Sequence, residues 1–135
     1  MKEITLEAAI NNIRKVTDWV DAELESLGCP PKTMMQIDVA IDELFTNIAS
    51  YAYPQGTGAA VIRFEHGDGM VSITFEDEGI PYDPLQKPDP DVTLSAKERK
   101  VGGLGVFLVK NLMDSMEYQR KDGRNVVTIR KRIAT

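Results

Sequence analysis

Apolar residues recur at three- and four-residue spacing in two long segments near the N-terminus, as they do in helices that bury one face. The first predicted helix spans residues 6–27, and its apolar stripe consists of Ile10, Ile13, Val16, Val20, Leu24 and Leu27. Gly28 supplies a stop for this helix. The second predicted helix spans residues 31–51, with Pro31 suited to its first turn. Its buried side consists of Ile37, Ile41, Leu44, Phe45 and Ile48.

Apolar and polar residues alternate in four other segments, which indicates strands. A short first strand is predicted around Ile4 and Leu6. Residues 60–65 and 71–76 form two more, and the turn at residues 66–69 joins them as a hairpin. A last hairpin turns at Asp122-Gly123. Its arms contain Tyr118 on one side and Val127, Ile129 and Ile133 on the other.

A long segment without periodicity, residues 78–101, separates the two hairpins. It contains Pro81, Pro84, Pro88 and Pro90, four of the seven prolines in the chain. Irregular segments of this length inside a compact domain are usually functional or disordered. Gly102 and Gly103 then begin a third predicted helix, and its apolar side consists of Val106, Val109, Leu112 and Met113.

The order of these elements predicts the fold class. Runs of antiparallel strands interrupted by helices favour an α+β two-layer sandwich, with a mixed, mainly antiparallel sheet and the helices on one face. The 135 residues suit a single domain covering positions 1–135, and the hydrophobic content of 42% is ordinary for a globular protein.

Charge and cysteine content narrow the classes of function. The formal net charge is −5 and no long basic run occurs, so direct binding of nucleic acid is not expected. No apolar run approaches the ~20 residues that span a bilayer. The one cysteine, Cys29, suits a reducing compartment and is interpreted as structural. We therefore expect a cytoplasmic protein without membrane contact.

Glu43 and Asn47 are the first candidates for chemistry. They lie four residues apart on the second predicted helix, so they project from the same face. A carboxylate can act as a general base. An amide oxygen can coordinate a Mg²⁺ ion whose other ligands are phosphate oxygens and water. A solvated helix face explains the same spacing equally well.

Asp77 and Gly79 are the second pair of candidates, directly after a predicted strand. A carboxylate at a strand end can accept a hydrogen bond from an exocyclic amine. A glycine two residues later lets the backbone approach a flat ring. An acidic turn that simply leaves the strand is the alternative interpretation.

Glycines at the start of the third predicted helix are the third candidate feature. The segment Gly102-Gly103-Leu104-Gly105-Val106 leaves free backbone N–H groups at the positive end of a helix dipole, which favours anion binding. It is not a Walker loop, because no Gly-Lys-Ser/Thr follows. A flexible hinge before a helix is the alternative.

Together these three segments resemble the N, G1 and G2 boxes of the GHKL ATPase superfamily, in the same order. Within it, "IDVAIDELFTNIASYAYP", "FEDEGIPYDP" and "GGLGVFLVKNLMD" resemble segments of the bacterial anti-sigma-factor serine/threonine kinases. The resemblance covers residues 36–114. In one departure, Tyr51 stands where members of that family often carry a histidine.

The resemblance implies an ATP- and Mg²⁺-dependent protein kinase, and it suggests a role for each candidate residue. Asp77, Gly79 and Tyr82 would hold the adenine, and Asn47 would coordinate Mg²⁺. Glu43 would act as the catalytic base. Backbone N–H groups of Gly102, Gly103, Leu104, Gly105 and Val106 would cradle the phosphates. Residues 85–101 would form a lid, from which Arg99 or Lys100 reaches the phosphate end.

The resemblance also implies partners. They are a sigma factor that is held inactive, an antagonist protein that is phosphorylated, and a second copy of the chain in a homodimer. Three alternatives remain at the level of sequence. One is an ATP-binding regulator without catalysis, and another is a stand-alone histidine-kinase-type catalytic domain. The third is an interaction domain without a nucleotide.

Overall fold

A five-stranded antiparallel sheet forms one layer of the domain in the computed structural model, which describes residues 1–54, 56–86 and 103–133. The strand order is β1-β2-β3-β5-β4, so β1 and β4 are the edges. The strands are β1 (Lys2–Glu7), β2 (Ala59–Gly67), β3 (Met70–Asp77), β4 (Ser115–Lys121) and β5 (Arg124–Arg132). All four pairings are antiparallel, so the expected parallel component is wrong for these strands, while the α+β class is confirmed.

Three α-helices among the described residues form the second layer. They are α1 (Ile13–Ser26), α2 (Pro31–Asn47) and α3 (Gly103–Leu112), with 3₁₀ turns at Ile10–Asn12 and Pro84–Gln86. Leu24, Ile41 and Phe45 of the helices and Ile62, Phe64, Phe75 and Ile129 of the sheet are almost completely buried in one core. Within the part of the chain that the structure describes, no helix is long and apolar enough to cross a membrane.

The first helix begins later than the periodicity predicted. Leu6 and Glu7 pair with Ala60 and Ala59 of β2, so their backbone groups belong to the sheet and α1 starts only at Ile13. Ile10, which was assigned to the apolar stripe, is 60% exposed in the 3₁₀ turn. Sheet pairing therefore overrides a helical pattern at this end.

The predicted turns and stops are confirmed by backbone geometry. Asp68-Gly69 and Asp122-Gly123 have positive φ at both central positions, as type I′ hairpin turns require. Gly28 has a φ of +72° directly after α1. The N–H groups of Gly28 and Cys29 close the helix by bonding the carbonyl oxygens of Glu25 and Leu24, respectively.

The end of the second helix differs from the prediction in a way that shapes the site. The α-helical hydrogen bonding of α2 stops at Asn47, and residues Ile48–Ala52 form a π-helical turn. Such turns are rare and occur frequently at functional sites. Here the turn buries Ile48 and Ala52 and leaves Tyr51 41% exposed.

Candidate functional site

A pocket lies between the C-terminal end of α2 and the adjoining ends of β3 and β5. It brings together Asn47, Asp77 and Tyr82, three of the residues that the sequence predicted for nucleotide binding. The remaining lining is mostly apolar and consists of Leu44, Ile48, Tyr51, Ala52, Phe75, Pro84, Asn125 and Val127. An apolar pocket with a few polar groups is typical of sites for small organic ligands.

Asp77 is the buried carboxylate of this pocket, with 5% of its surface exposed. Its Oδ1 accepts hydrogen bonds from the Gly79 N–H at 2.9 Å and from Asn125 Nδ2 at 3.0 Å. Burial raises the pKa of Asp77, and the two hydrogen bonds and the charge of Arg120 act against that rise. No described residue bonds Oδ2, so this oxygen is available as an acceptor.

Gly79 is required by packing against the π-helical turn. A methyl group on Gly79 would overlap the carbonyl oxygen and Cβ of Ala52. The same Ala52 oxygen accepts the Ile80 N–H at 2.9 Å. Gly79 does not line the pocket with Asp77, so the structure supplies a reason for glycine other than the predicted approach to a flat ring.

Two tyrosines stack at the mouth of the pocket. The rings of Tyr51 and Tyr82 have centroids 6.3 Å apart and an angle of 22° between their planes. Tyr51 is presented by the π-helical turn, and the Tyr82 N–H bonds Asn125 Oδ1 at 3.2 Å. The departure at position 51 therefore adds an aromatic ring to the predicted binding site.

Asn125 is a site residue that the sequence analysis missed. It is 4% exposed and lies opposite Asp77 in the β3–β5 register. A usable signal was present, because Asn125 is in phase with the buried residues Val127 and Ile129 of the alternating strand. A polar residue at a core position of a strand has to find partners inside the protein.

Glu43 lies one helical turn before Asn47 and packs against the start of α3. A methyl group on Gly105 would overlap Glu43 Oε2, so the carboxylate rests directly on the glycine. Burial raises the pKa of Glu43, and the neighbouring negative charge of Asp42 raises it further. No hydrogen bond to Glu43 comes from the described residues, which leaves its carboxylate free to accept a proton.

The glycine segment begins a helix as predicted, since α3 starts at Gly103. Leu104, Gly105 and Val106 complete the first helical turn, where backbone N–H groups have no partner within the helix. Val106 is only 3% exposed, so a ligand would meet its backbone rather than its side chain. Gly102, Arg99, Lys100 and most of the predicted lid lie outside the described residues.

Comparison with known proteins identifies the family of this chain. The family model described as the histidine kinase-like ATPase domain matches residues 6–131. The serine/threonine-protein kinase BtrW of Bordetella bronchiseptica is 33% identical over 94 residues, which are 69% of this chain and 66% of BtrW. The serine-protein kinase RsbW of Halalkalibacterium halodurans is 27% identical over 130 residues, 90% of this chain and 76% of RsbW.

A solved structure supports the same fold. The RsbU and RsbW domains of Rv1364c from Mycobacterium tuberculosis superpose with a TM-score of 0.66 at 18% identity, over all of this chain and 33% of that one. The chain spans just under two thirds of the length of BtrW. Because the family model covers nearly every residue, the chain belongs to the histidine kinase-like ATPase domain family.

Proposed function

We propose that this domain binds ATP with Mg²⁺ and transfers the γ-phosphoryl group to a serine or threonine of a partner protein. The observation that carries the proposal is the meeting of Asp77 and Asn47 in one apolar pocket. Glu43 lies on α2 one helical turn before Asn47, and its carboxylate packs against Gly105 at the start of α3. In this proposal Asp77 binds the adenine, Asn47 binds the phosphates through Mg²⁺, and Glu43 faces the acceptor hydroxyl.

The adenine end of the proposed site centres on Asp77. Its Oδ2 would accept the hydrogen bond from the exocyclic amino group, because Oδ1 is already occupied by two N–H donors. The apolar walls formed by Leu44, Ile48, Phe75 and Val127 would exclude water from the ring. Tyr82 would contact the base through its ring beside Tyr51.

The phosphate end of the proposed site combines Asn47 with the start of α3. The Asn47 amide oxygen is a neutral oxygen ligand, and Mg²⁺ in such sites usually takes one or two protein ligands together with phosphate oxygens and water. When bound, Mg²⁺ offsets negative charge on the phosphates. The backbone N–H groups of Gly103, Leu104, Gly105 and Val106 would add hydrogen bonds at the positive end of the helix.

Glu43 would serve as the base. Its carboxylate would take the proton from the partner's hydroxyl while the hydroxyl oxygen bonds to the γ-phosphorus and the bond to the leaving ADP oxygen breaks. Phosphoryl transfer depends mainly on positioning and charge stabilisation, so one base and a set of phosphate ligands are sufficient. The raised pKa of Glu43 suits proton uptake better than that of a solvated carboxylate.

The relatives named as serine kinases, BtrW and RsbW, support a protein substrate, and the resemblance to anti-sigma-factor kinases suggests which partners to propose. A sigma factor would be held inactive by this domain, which would thereby regulate transcription. An antagonist protein would be phosphorylated and gain about −1.5 to −2 units of charge, enough to weaken its contact with an acidic chain. A homodimer and a cytoplasmic location complete the proposal, and sedimentation equilibrium would measure the oligomeric state.

Calorimetric titration of the purified protein with ATP and Mg²⁺ tests the nucleotide site. We expect magnesium-dependent binding that Asn47→Ala weakens at least tenfold, whereas Asn11→Ala, at an exposed asparagine, leaves it unchanged. Absence of binding at millimolar ATP would contradict the proposal. Binding without transfer to any serine- or threonine-containing partner would favour the non-catalytic regulator instead.

A further inference from the structure

Asn125 forms the centre of a buried hydrogen-bond network behind the proposed adenine site. Asn125 and Asp77 are the two buried polar side chains among the residues that the structure describes. They come from neighbouring strands and face each other in register, although 48 residues separate them in the chain. A buried pair of this kind is costly unless every polar atom is satisfied.

All four hydrogen-bonding positions of the Asn125 amide are used. Nδ2 donates to the Ile80 carbonyl oxygen at 2.7 Å and to Asp77 Oδ1 at 3.0 Å. Oδ1 accepts from the Tyr118 hydroxyl at 2.6 Å and from the Tyr82 N–H at 3.2 Å. An asparagine has two donors and two acceptor positions on its side chain, so none remains for another role.

The orientation of this amide is fixed by groups that cannot reverse their roles. The Ile80 carbonyl can only accept, so it must face the NH₂ group, and the Tyr82 N–H can only donate, so it must face the oxygen. The second N–H of Asn125 is thereby directed at Asp77 Oδ1. With the Gly79 N–H on the same atom, Oδ1 is held as an acceptor.

This arrangement leaves Oδ2 as the recognition atom of Asp77. An ionised Oδ2 accepts from the 6-amino group of adenine and repels the 6-oxo group of guanine. A protonated Asp77 could instead donate to the 6-oxo group. Burial favours the protonated acid, and the Asn125 donor is the largest of the influences that favour the ionised form.

We propose that Asn125 is a positioning residue that holds Asp77 Oδ1 and so presents Oδ2 as the acceptor, and that it thereby determines the selectivity of the pocket for a 6-aminopurine over a 6-oxopurine. The inference rests on the proposed function of the pocket as an ATP site. Asn125 acts through Asp77 and contacts no reacting atom. A role confined to packing the loop at Ile80 and Tyr82 would weaken both nucleotides equally and independently of pH.

The test is a calorimetric titration of the full chain with Mg-ATP and Mg-GTP across the pH range in which the protein stays folded. In the wild type, affinity for ATP falls at low pH, because protonation removes the acceptor. In Asn125→Leu we expect this midpoint to move to higher pH, because the variant lacks the donor that favours the ionised form of Asp77. The ratio of the GTP to the ATP dissociation constant should fall about tenfold or more. The wild type rejects GTP because the 6-oxo group of guanine meets an acceptor with which it cannot form a hydrogen bond.

A second variant gives a result of opposite sign. Asn125→Asp places a carboxylate against Asp77 Oδ1, and the two can share one proton. Affinity for ATP should therefore rise as the pH is lowered and this proton is taken up. Tyr118→Phe is the matched control, because it removes one bond to Asn125 without touching the donor to Asp77. It should keep the wild-type midpoint and selectivity.

The two failures can be told apart. If the wild type binds ATP, but Asn125→Leu and Asn125→Asp keep its midpoint and its ATP/GTP ratio, the role of Asn125 is refuted and the ATP site stands. An equal loss for both nucleotides at every pH also refutes it. If the wild type binds neither nucleotide, the proposed function fails and this inference fails with it. Should Asn125→Leu not fold, the pH response of Asn125→Asp decides.

Discussion

Two carboxylates of the same pocket region, Asp77 and Glu43, occupy contrasting surroundings. Burial raises the pKa of both. Asp77 receives two N–H donors on one oxygen and the positive charge of Arg120 nearby. Glu43 instead faces the negative charge of Asp42, and no donor from the described residues reaches it.

The difference explains how one type of side chain can perform two tasks. Donors oppose the effect of burial at Asp77 and favour a fixed, ionised acceptor, which suits recognition. At Glu43 nothing described offsets burial, so the carboxylate is well disposed to take up a proton, which suits catalysis. Two carboxylates in one site can take different roles when their surroundings differ in this way.

Removing the carboxylate of Glu43 should give the largest effect. Glu43→Gln keeps the shape and removes the base, so we expect turnover to fall by roughly 10²–10⁴-fold while ATP affinity changes little. Single-turnover phosphotransfer to the partner protein would measure the loss. Glu25→Gln, at an exposed glutamate of α1, is a matched control and should retain the wild-type rate. A Glu43→Gln rate equal to that of the wild type would exclude the role of base.

Altering Asp77 should change binding rather than turnover. Asp77→Asn replaces the ionised acceptor, and a lost hydrogen bond to a charged group costs about 1.5–3 kcal/mol, or roughly 10- to 100-fold in Kd. Calorimetry would measure the change. Glu78→Gln alters the adjacent exposed carboxylate and should leave the affinity unaffected. Unchanged affinity in Asp77→Asn would place the adenine elsewhere.

The pH dependence of turnover should report Glu43. The base acts in its ionised form, so activity should be lost as the pH is lowered. Because the pKa of Glu43 is raised, this loss should occur at a higher pH than for an unperturbed glutamate. Below the midpoint the rate should fall by about tenfold per pH unit. Asp42→Asn removes one cause of the rise and should shift the midpoint to lower pH. A midpoint insensitive to Asp42→Asn would contradict this electrostatic account.

Substitution of Gly105 should disturb catalysis by Glu43 more than the binding of ATP. The methyl group of Gly105→Ala would displace the Glu43 carboxylate, and we expect turnover to fall by about tenfold with ATP affinity affected less. Parallel measurement of rate and affinity separates the two effects. Gly67→Ala is a control at a position with open space around Cβ. Equal losses of rate and affinity would assign Gly105 to phosphate binding alone.

The smallest effect concerns a third carboxylate, Asp38, which faces Asp21 between α1 and α2. Burial and the adjacent carboxyl group of Asp21, with the charge of Asp18 contributing, raise the pKa of Asp38 to about 8. The raised value means that stability is fully present below the unfolded pKa near 4 and is lost as the pH rises through 8. At Asp77 the negative charge of Glu76 is opposed by donors and by Arg120, whereas at Asp38 every cause raises the pKa.

Asp38→Asn should therefore stabilise the protein at alkaline pH. We expect a gain of about 1 kcal/mol at pH 9, a small figure because the group is partly exposed, and little gain at pH 5. Urea unfolding at both pH values would measure it. Glu25→Gln, at an exposed glutamate of α1, is the control, and equal gains in both variants would contradict the explanation.

Local features of the fold were predictable from the sequence because their causes are local. Asp-Gly pairs between alternating segments determined both hairpin turns, and Gly28 marked the end of α1. The four-residue spacing placed Glu43 and Asn47 on the same side of α2. Family resemblance added the proposed roles of Asp77 and the glycine segment.

Long-range features were not predictable in the same way. The pairing of Asp77 with Asn125 depends on the β3–β5 register, and a shift by one residue would turn Asn125 to the opposite face. The π-helical turn at residues 48–52 has no sequence period of its own. The Asp21–Asp38 contact depends on how α1 packs against α2. The sequence showed the apolar stripe of each helix, but not their relative placement.

The contrast between the two carboxylates is tested most directly by measuring ATP affinity and phosphotransfer rate for Glu43→Gln and Asp77→Asn side by side. We predict that Glu43→Gln binds Mg-ATP like the wild type and transfers phosphate at least ~10²-fold more slowly. Asp77→Asn should bind about 10- to 100-fold more weakly and recover most of its rate at saturating ATP. Equal changes of affinity and rate in both variants would contradict the division of roles.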